Sequence, residues 1–248
     1  MFDRSIETAS KQPVVEWRNL APRAAPLFDC APEILGTSCT YDHDEEIYCE
    51  GDATEFIYRI VSGSVRTTKI MRDGRRQIGG FYLPDEFFGL GLGKRHHLTA
   101  EAVTGSKILL FRRRQIEIMA RLNMGGAREM WLMTAGHLRL AEEHLLLLGR
   151  KTALERLASF VIEMDSRLGN RGLFELPMSR RDIADYLGLT FETISRGFSA
   201  LQKQRALELT GARHVVVRNR AYLCALGASR SNSRTNRKAA CAASGTSV

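Results

Sequence analysis

The sequence predicts an α+β protein in three parts: an antiparallel β-roll, a long helix, and a C-terminal unit of short helices with a β-hairpin wing. Three observations predict it. Residues 45–111 run in short apolar or alternating stretches broken by glycine, the texture of a small antiparallel barrel or roll. Residues 127–148 hold no proline and repeat large side chains at helical spacing. Residues 179–220 hold two capped helix starts joined through Gly188, then two alternating runs around Gly211.

The elements follow in order. An arm is expected over residues 1–40, where Pro13, Pro22, Pro26 and Pro32 interrupt short apolar clusters. The roll is assigned to residues 41–125. Asp73-Gly74 between TTKIM and RRQIGGFYL is a hairpin signal, with positive φ expected at both central residues, and Gly51-Asp52 and Ser62-Gly63 read as further turns. A dimerisation helix is assigned to residues 126–149. Met130, Met133, His137, Leu140, His144 and Leu147 alternate intervals of three and four, the seam of a two-stranded coiled coil. A second stripe of Trp131, Leu138, Leu145 and Leu146 is then left to pack on the roll. His137 and His144 read as tolerated polar positions of the seam, not as metal or haem ligands.

The C-terminal domain is assigned to residues 150–227. GRKTALERLASFVIEM continues as an amphipathic helix, and GLFELPMS reads as a short strand pair. Ser179, with Asp182 three residues on, caps the helix RRDIADYLG, and Thr190 caps FETISRGFSALQKQ, whose Ile194, Phe198 and Leu201 point inward. This is a helix-turn-helix, and RALELTGARHVVVRNRAYLCALG beyond it reads as the hairpin of a winged helix. Residues 228–248 are small, polar and basic, and are expected to be a disordered tail.

Charge points to a partner. Residues 150–248 hold 17 Lys and Arg against 8 Asp and Glu, while residues 1–149 hold 19 against 20, so the excess of +8 lies wholly in the C-terminal part. Clustered cations of this kind suit a polyanion, because each phosphate they meet releases counterions. The second helix of a helix-turn-helix enters the major groove of double-stranded DNA with its N-terminal residues at base edges. Glu192, Ser195 and Arg196 share one face of that helix. Arg196 can donate to guanine O6 and N7, Glu192 can accept from a cytosine amino group, and Ser195 can meet a neighbouring base. Ser179, Arg180, Arg181, Thr190, Thr193, Lys203, Arg213 and Arg218 flank them as expected phosphate or backbone contacts, with His214 and Arg220 further candidates on the wing.

Other classes are disfavoured. There is no glycine-rich phosphate loop, no H-E-x-x-H and no nucleophile elbow, so an enzyme is not expected. No apolar run is long enough to span a bilayer, and the N-terminus lacks the apolar core of a signal peptide, so a cytoplasmic protein is expected. Cys30, Cys39, Cys49, Cys224 and Cys241 are odd in number and widely spaced, which argues against a disulfide framework.

GRKTALERLASF, LPMSRRDIADYLGLTFETISRGFSALQ and FYLPDEFFGL, in the order roll, long helix and winged helix, resemble the CRP/FNR superfamily over roughly residues 45–226. The E-x-x-S-R of Glu192, Ser195 and Arg196 is similar to the FNR and FixK branch. The resemblance implies a cyclic-nucleotide-binding-like roll and a homodimer that reads TTGA...TCAA palindromes. It also implies contact with RNA polymerase, usually as an activator of microaerobic respiration or nitrogen-fixation genes. Nucleotide-binding relatives hold ribose and phosphate with a Gly-Glu pair and an Arg-Ser or Arg-Ala pair. Here Gly89 is followed by Leu90, and the arginine position falls near His97-Leu98. The oxygen-sensing relatives hold an iron-sulfur cluster on clustered cysteines, whereas Cys39 and Cys49 fall in or beside the first strands of the roll. No cofactor or metal is therefore expected, and the pattern is FixK-like. The alternative is a regulator of the same family that senses nitric oxide through haem, or redox state through Cys30, Cys39 or Cys49.

Overall fold

The computed structural model describes residues 36–228 apart from 92 and 123; the arm up to residue 35 with Cys30, and the tail beyond residue 228, lie outside the described residues. The roll is built from β1 (Thr37–Tyr41), β2 (Glu46–Tyr48), β3 (Phe56–Ser62), β4 (Val65–Ile70), β5 (Arg76–Tyr82), β6 (Phe87–Phe88), β7 (Thr99–Ala102) and β8 (Ser106–Arg112). Two antiparallel sheets face each other, β1-β8-β3-β6 and β2-β7-β4-β5. Strand β1 lies among the residues read from sequence as arm, because Thr37–Tyr41 pair in register with β8, Thr37 opposite Leu110 and Tyr41 opposite Ser106.

Adjacent apolar residues in these strands are buried together, as Ile57-Tyr58 and Phe87-Phe88 show. Successive side chains of a strand point to opposite faces, and here both faces are covered. Tyr58 and Phe88 lie between the sheets with Tyr48, Ile60, Val65, Ala100 and Ile108. Ile57 and Phe87 point the other way, with Phe111, onto Ile116 and Met133 of two helices, α1 (Arg113–Leu122) and α2 (Met124–Arg150). The Asp73-Gly74 hairpin forms between β4 and β5, but only Gly74 has positive φ, at 81°. The loop is longer than two residues: Gly74 N–H donates to Met71 O at 2.9 Å and Met71 N–H to Arg75 O at 2.8 Å.

The chain continues through α3 (Ala153–Arg167), β9 (Leu173–Glu175), α4 (Arg180–Leu187), α5 (Phe191–Lys203), β10 (Leu207–Leu209), β11 (His214–Val217) and α6 (Arg220–Gly227). The helix read as continuous through residue 149 instead breaks at Lys151, where Thr152 caps α3 in a reciprocal box with Glu155. GLFELPMS supplies one strand, not a pair: β9 adds to the wing hairpin in the sheet β10-β11-β9. The residues after Arg218, read as part of the wing, form α6, with Asn219 at its N-cap and Leu223 buried. A core of Leu157, Phe160, Val161, Ile183, Leu187, Ile194, Phe198 and Leu201 joins α3, α4 and α5, and it extends to Ile78 and Phe81 of β5 and Leu147 of α2. Winged helix, long helix and roll therefore share buried apolar surface.

The burial of α2 corrects the expected seam. Met133 is 3% exposed and Leu147 5%. Met130 packs with Met133 on the roll, Leu140 is half-buried, His137 stacks on Tyr82 and His144 on Tyr186. These six positions mainly serve the chain's own fold, because the roll and the winged helix both lie on that side of α2. The stripe assigned to the roll is the exposed one: Trp131 is 68% exposed, Leu138 59%, Leu145 71% and Leu146 63%.

Candidate nucleic-acid interface

Two capped helices build the site. Ser179 Oγ accepts from Asp182 N–H, and the Asp182 carboxylate accepts from Ser179 N–H at 3.0 Å and from its hydroxyl at 2.7 Å. A cap of this kind contributes about 1 kcal/mol. It also commits the Ser179 hydroxyl proton within the chain, so this side chain is not the phosphate donor expected from sequence. Helix α4 ends at Gly188 in the left-handed region, φ 62°, which lets the chain turn sharply into Thr190. Thr190 accepts from Thr193 N–H at 3.2 Å, and the two hydroxyls lie 3.0 Å apart.

Helix α5 buries Ile194, Phe198 and Leu201. Gly197 faces α3, where an added Cβ would lie 2.8 Å from Leu157, so glycine permits the close crossing. The opposite face carries Glu192 and Arg196, both exposed, with Ser195 half-buried between them. Ser195 and Arg196 continue into a shallow groove with Ser199, Ala200 and Lys203. Ser199, which the sequence reading did not single out, donates its hydroxyl to Ser195 O at 3.0 Å. The Glu192 carboxyl is held below the usual range by its backbone N–H at the helix start, by the Thr190 hydroxyl and by Arg196. A charged acceptor and a charged fork thus stand one turn apart on the same exposed face.

The flanking cations divide by what already holds them. Arg181 and Lys203 are exposed. Arg180 lies over the Phe198 ring, 4.7 Å from its centroid, bracing α4 against α5. Arg213 is half-buried, with a long contact of 3.5 Å to Pro177 O. Arg218 grips Glu208 with two nitrogens, at 3.0 and 2.7 Å, but both side chains are about half exposed and the pair is weak enough to exchange for a phosphate. His214 is exposed near Glu175 at 3.7 Å. Arg220, the other wing candidate, pairs with buried Asp165 and so braces α6 on α3, while its own side chain stays 40% exposed.

One structural residue was not legible in sequence. Arg156 of α3 donates to Leu148 O of α2 at 2.8 Å, to Lys151 O at 3.0 Å and to Leu187 O of α4 at 2.9 Å. A single guanidinium therefore satisfies open carbonyls at the ends of two helices and joins the long helix to the winged helix.

The chain matches two families, the Crp-like helix-turn-helix domain over residues 155–226 and the cyclic nucleotide-binding domain over residues 39–123. It is 38% identical over 224 residues to the nitrogen fixation regulation protein FixK of Azorhizobium caulinodans, covering 87% of this chain and 90% of that one. It is 36% identical to FixK of Rhizobium meliloti, covering 83% and 91%. Its fold superposes on the structure of FixK2 from Bradyrhizobium japonicum with a TM-score of 0.75 and 51% identity, over 78% of this chain and 98% of that one.

The second family match raises the question of a nucleotide, and the residues present do not fit one. Leu90, at the acidic position of nucleotide-binding relatives, packs with Ile57 and Phe87. Leu98, near their arginine position, lies against Gly79. The space between the sheets holds stacked rings: His96 lies 3.6 Å from Tyr48, 13° from parallel, and Phe88 4.9 Å from Tyr58. Arg66 of β4, which could supply a charge, is bound to Asp44, Glu101 and Asp182. Cys39 lies within β1, and Cys49, just after β2, donates to Glu46 at 3.0 Å. With a roll, a long helix and a reading head that match FixK proteins over most of their length, this chain belongs to the CRP/FNR superfamily as a FixK-like DNA-binding transcription regulator.

Proposed function

We propose that the chain acts as a homodimer that reads a TTGA...TCAA palindrome with Glu192, Ser195 and Arg196 and activates transcription through RNA polymerase. The observation that carries this reading is the outward face of α5, where Glu192 and Arg196 are exposed with half-buried Ser195 between them, opposite the core that Ile194, Phe198 and Leu201 anchor. Arg196 donates to guanine and Glu192 accepts from cytosine, the pairings that a G·C step in each half-site offers. Arg180, Arg181, Thr190, Thr193, Lys203, Arg213 and Arg218 hold the flanking phosphates.

The outward face of α2 supports the dimer. Ala127, Trp131, Thr134, Leu138, Ala141 and Leu145 are all exposed and follow intervals of four and three, a heptad seam of mixed large and small residues. A second copy paired there would set two α5 helices about one DNA turn apart. By likeness to the FixK relatives, whose names give nitrogen fixation regulation, the targets are nitrogen-fixation genes, and the family resemblance adds genes of microaerobic respiration. No helix among the described residues is long and apolar enough to cross a membrane, which suits action in the cytoplasm. Band shifts with the palindrome and a scrambled duplex of equal length test the reading. Preference for the palindrome by about a thousandfold or more is expected; equal affinity overturns it.

A further inference from the structure

Helix α4 presents an acidic edge to the roll, and the roll answers with arginines. Arg76 of β5 contacts Asp182 at 2.6 Å and Asp185 at 2.8 Å. Arg66 of β4 contacts the same Asp182 oxygen at 3.3 Å and is itself held by Glu101 at 2.7 Å and Asp44 at 2.8 Å. Gln77 adds a long contact to Tyr186 O at 3.4 Å. Arg66 and Asp182 side chains are 8% and 7% exposed, so water screens them little. The other Asp182 oxygen caps α4. One carboxylate thus starts the first helix of the reading head and fixes it to the roll.

This connection sets where the recognition helix stands. Arg180 over Phe198 and the shared core bind α5 to α4, and Met133 and Phe87 bind the roll to α2. One path from the dimer helix to the base-reading face therefore runs through the arginine–aspartate cluster, and it adds to the direct links that Arg156, His144 and Leu147 make between α2 and the winged helix. In a two-fold dimer any shift of α5 is doubled between half-sites. With about 3.4 Å per base step, a shift of about 1.7 Å in each subunit along the DNA equals a whole base pair. We infer that Arg66 and Arg76 are positioning residues that fix the spacer length of the palindrome, while the base-reading side chains fix its sequence. The inference rests on the dimeric reading proposed above.

The test measures affinity for palindromes whose spacer is shortened or lengthened in single base pairs, using wild type, Arg76→Gln, Asp185→Asn and Arg76→Lys. Wild type is expected to lose about a hundredfold for a one-base-pair change, and Arg76→Gln less than about tenfold. The penalty for a base substitution within TTGA should stay at the wild-type value in both. Arg76→Lys, which keeps charge but not the forked donor, should fall between. Asp185→Asn removes one link of the cluster without touching the cap, and it should broaden the spacer profile even if Arg76→Gln proves too unstable to purify. A wild-type spacer profile in both Arg76→Gln and Asp185→Asn overturns the inference and leaves the dimeric reading intact. Wild type that prefers no palindrome at any spacing overturns that reading, and the inference with it.

Discussion

His144 of α2 stacks on Tyr186 of α4, ring centroids 4.0 Å apart and 11° from parallel, while its Nε2 lies 2.9 Å from Tyr186 O. A residue placed by spacing in a partner-facing seam thus joins the long helix to the reading head of its own chain. His144→Ala is expected to lower stability by about 1 to 2 kcal/mol, from the lost ring pair and the lost hydrogen bond. His144→Phe keeps the ring pair and should lose less. Chemical denaturation of both variants measures the difference.

The two stripes of α2 should respond differently. Leu138 lies in the exposed stripe proposed as the dimer seam, so Leu138→Glu should convert the proposed dimer to monomer and abolish palindrome binding while leaving circular dichroism unchanged. Met133 lies in the cluster with Ile57 and Phe87, so Met133→Ala should destabilise each subunit by about 2 to 5 kcal/mol. Light scattering separates the two. A dimeric Leu138→Glu would return the seam to the other face.

Much of the fold was legible because it obeys local rules. Ser179-x-x-Asp182 and Thr190 mark helix starts through their own caps, Gly188 and Gly74 mark turns through positive φ, and the charge excess marks the reading half. What failed was non-local. Periodicity finds two apolar stripes on α2 but cannot say which one its own roll covers, since both repeat at helical spacing. Arg156 was invisible for the same reason: its acceptors are carbonyls, which carry no sequence signature. Arg220 looked like a wing cation until Asp165, far away in sequence, was found beneath it. The α5 face proposed to read bases was visible in the sequence because it needs only neighbours on one helix.

Arg196→Ala should weaken binding to the TTGA palindrome by about 1 to 3 kcal/mol per half-site and relax the preference at the guanine position. Lys203→Ala should weaken all sequences alike and reduce the salt dependence, as loss of a phosphate contact does. Competition band shifts over a panel of half-site substitutions distinguish the two. Equal loss on every sequence for Arg196→Ala would remove it from the base-reading set.

Stability should fall in two separate pH windows. His137 and His96 have lowered pKa values because burial disfavours the imidazolium, and each has an Nε2 without a partner. Around His137 the Phe87 carbonyl and Glu86 act in the opposite sense, with Arg167 adding to the depression. In the unfolded chain these histidines take up protons near pH 6.5. The unfolded state therefore binds more protons as pH drops below that value, and stability is lost until the folded pKa values are passed. Asp182 behaves differently: burial opposes its charge, but the Ser179 hydrogen bond with Arg66 and Arg76 outweighs it and holds the carboxyl below the usual range. Its contribution is present above the unfolded carboxylate value, near 3.9, and disappears only at lower pH. Urea unfolding from pH 8 to pH 3 should show a decline starting near 6.5 and a second one below about 4. His137→Gln should shrink the first decline, with His96 left to supply the remainder, and leave the second in place. A first decline of wild-type size in His137→Gln would mean that His137 takes no part in it.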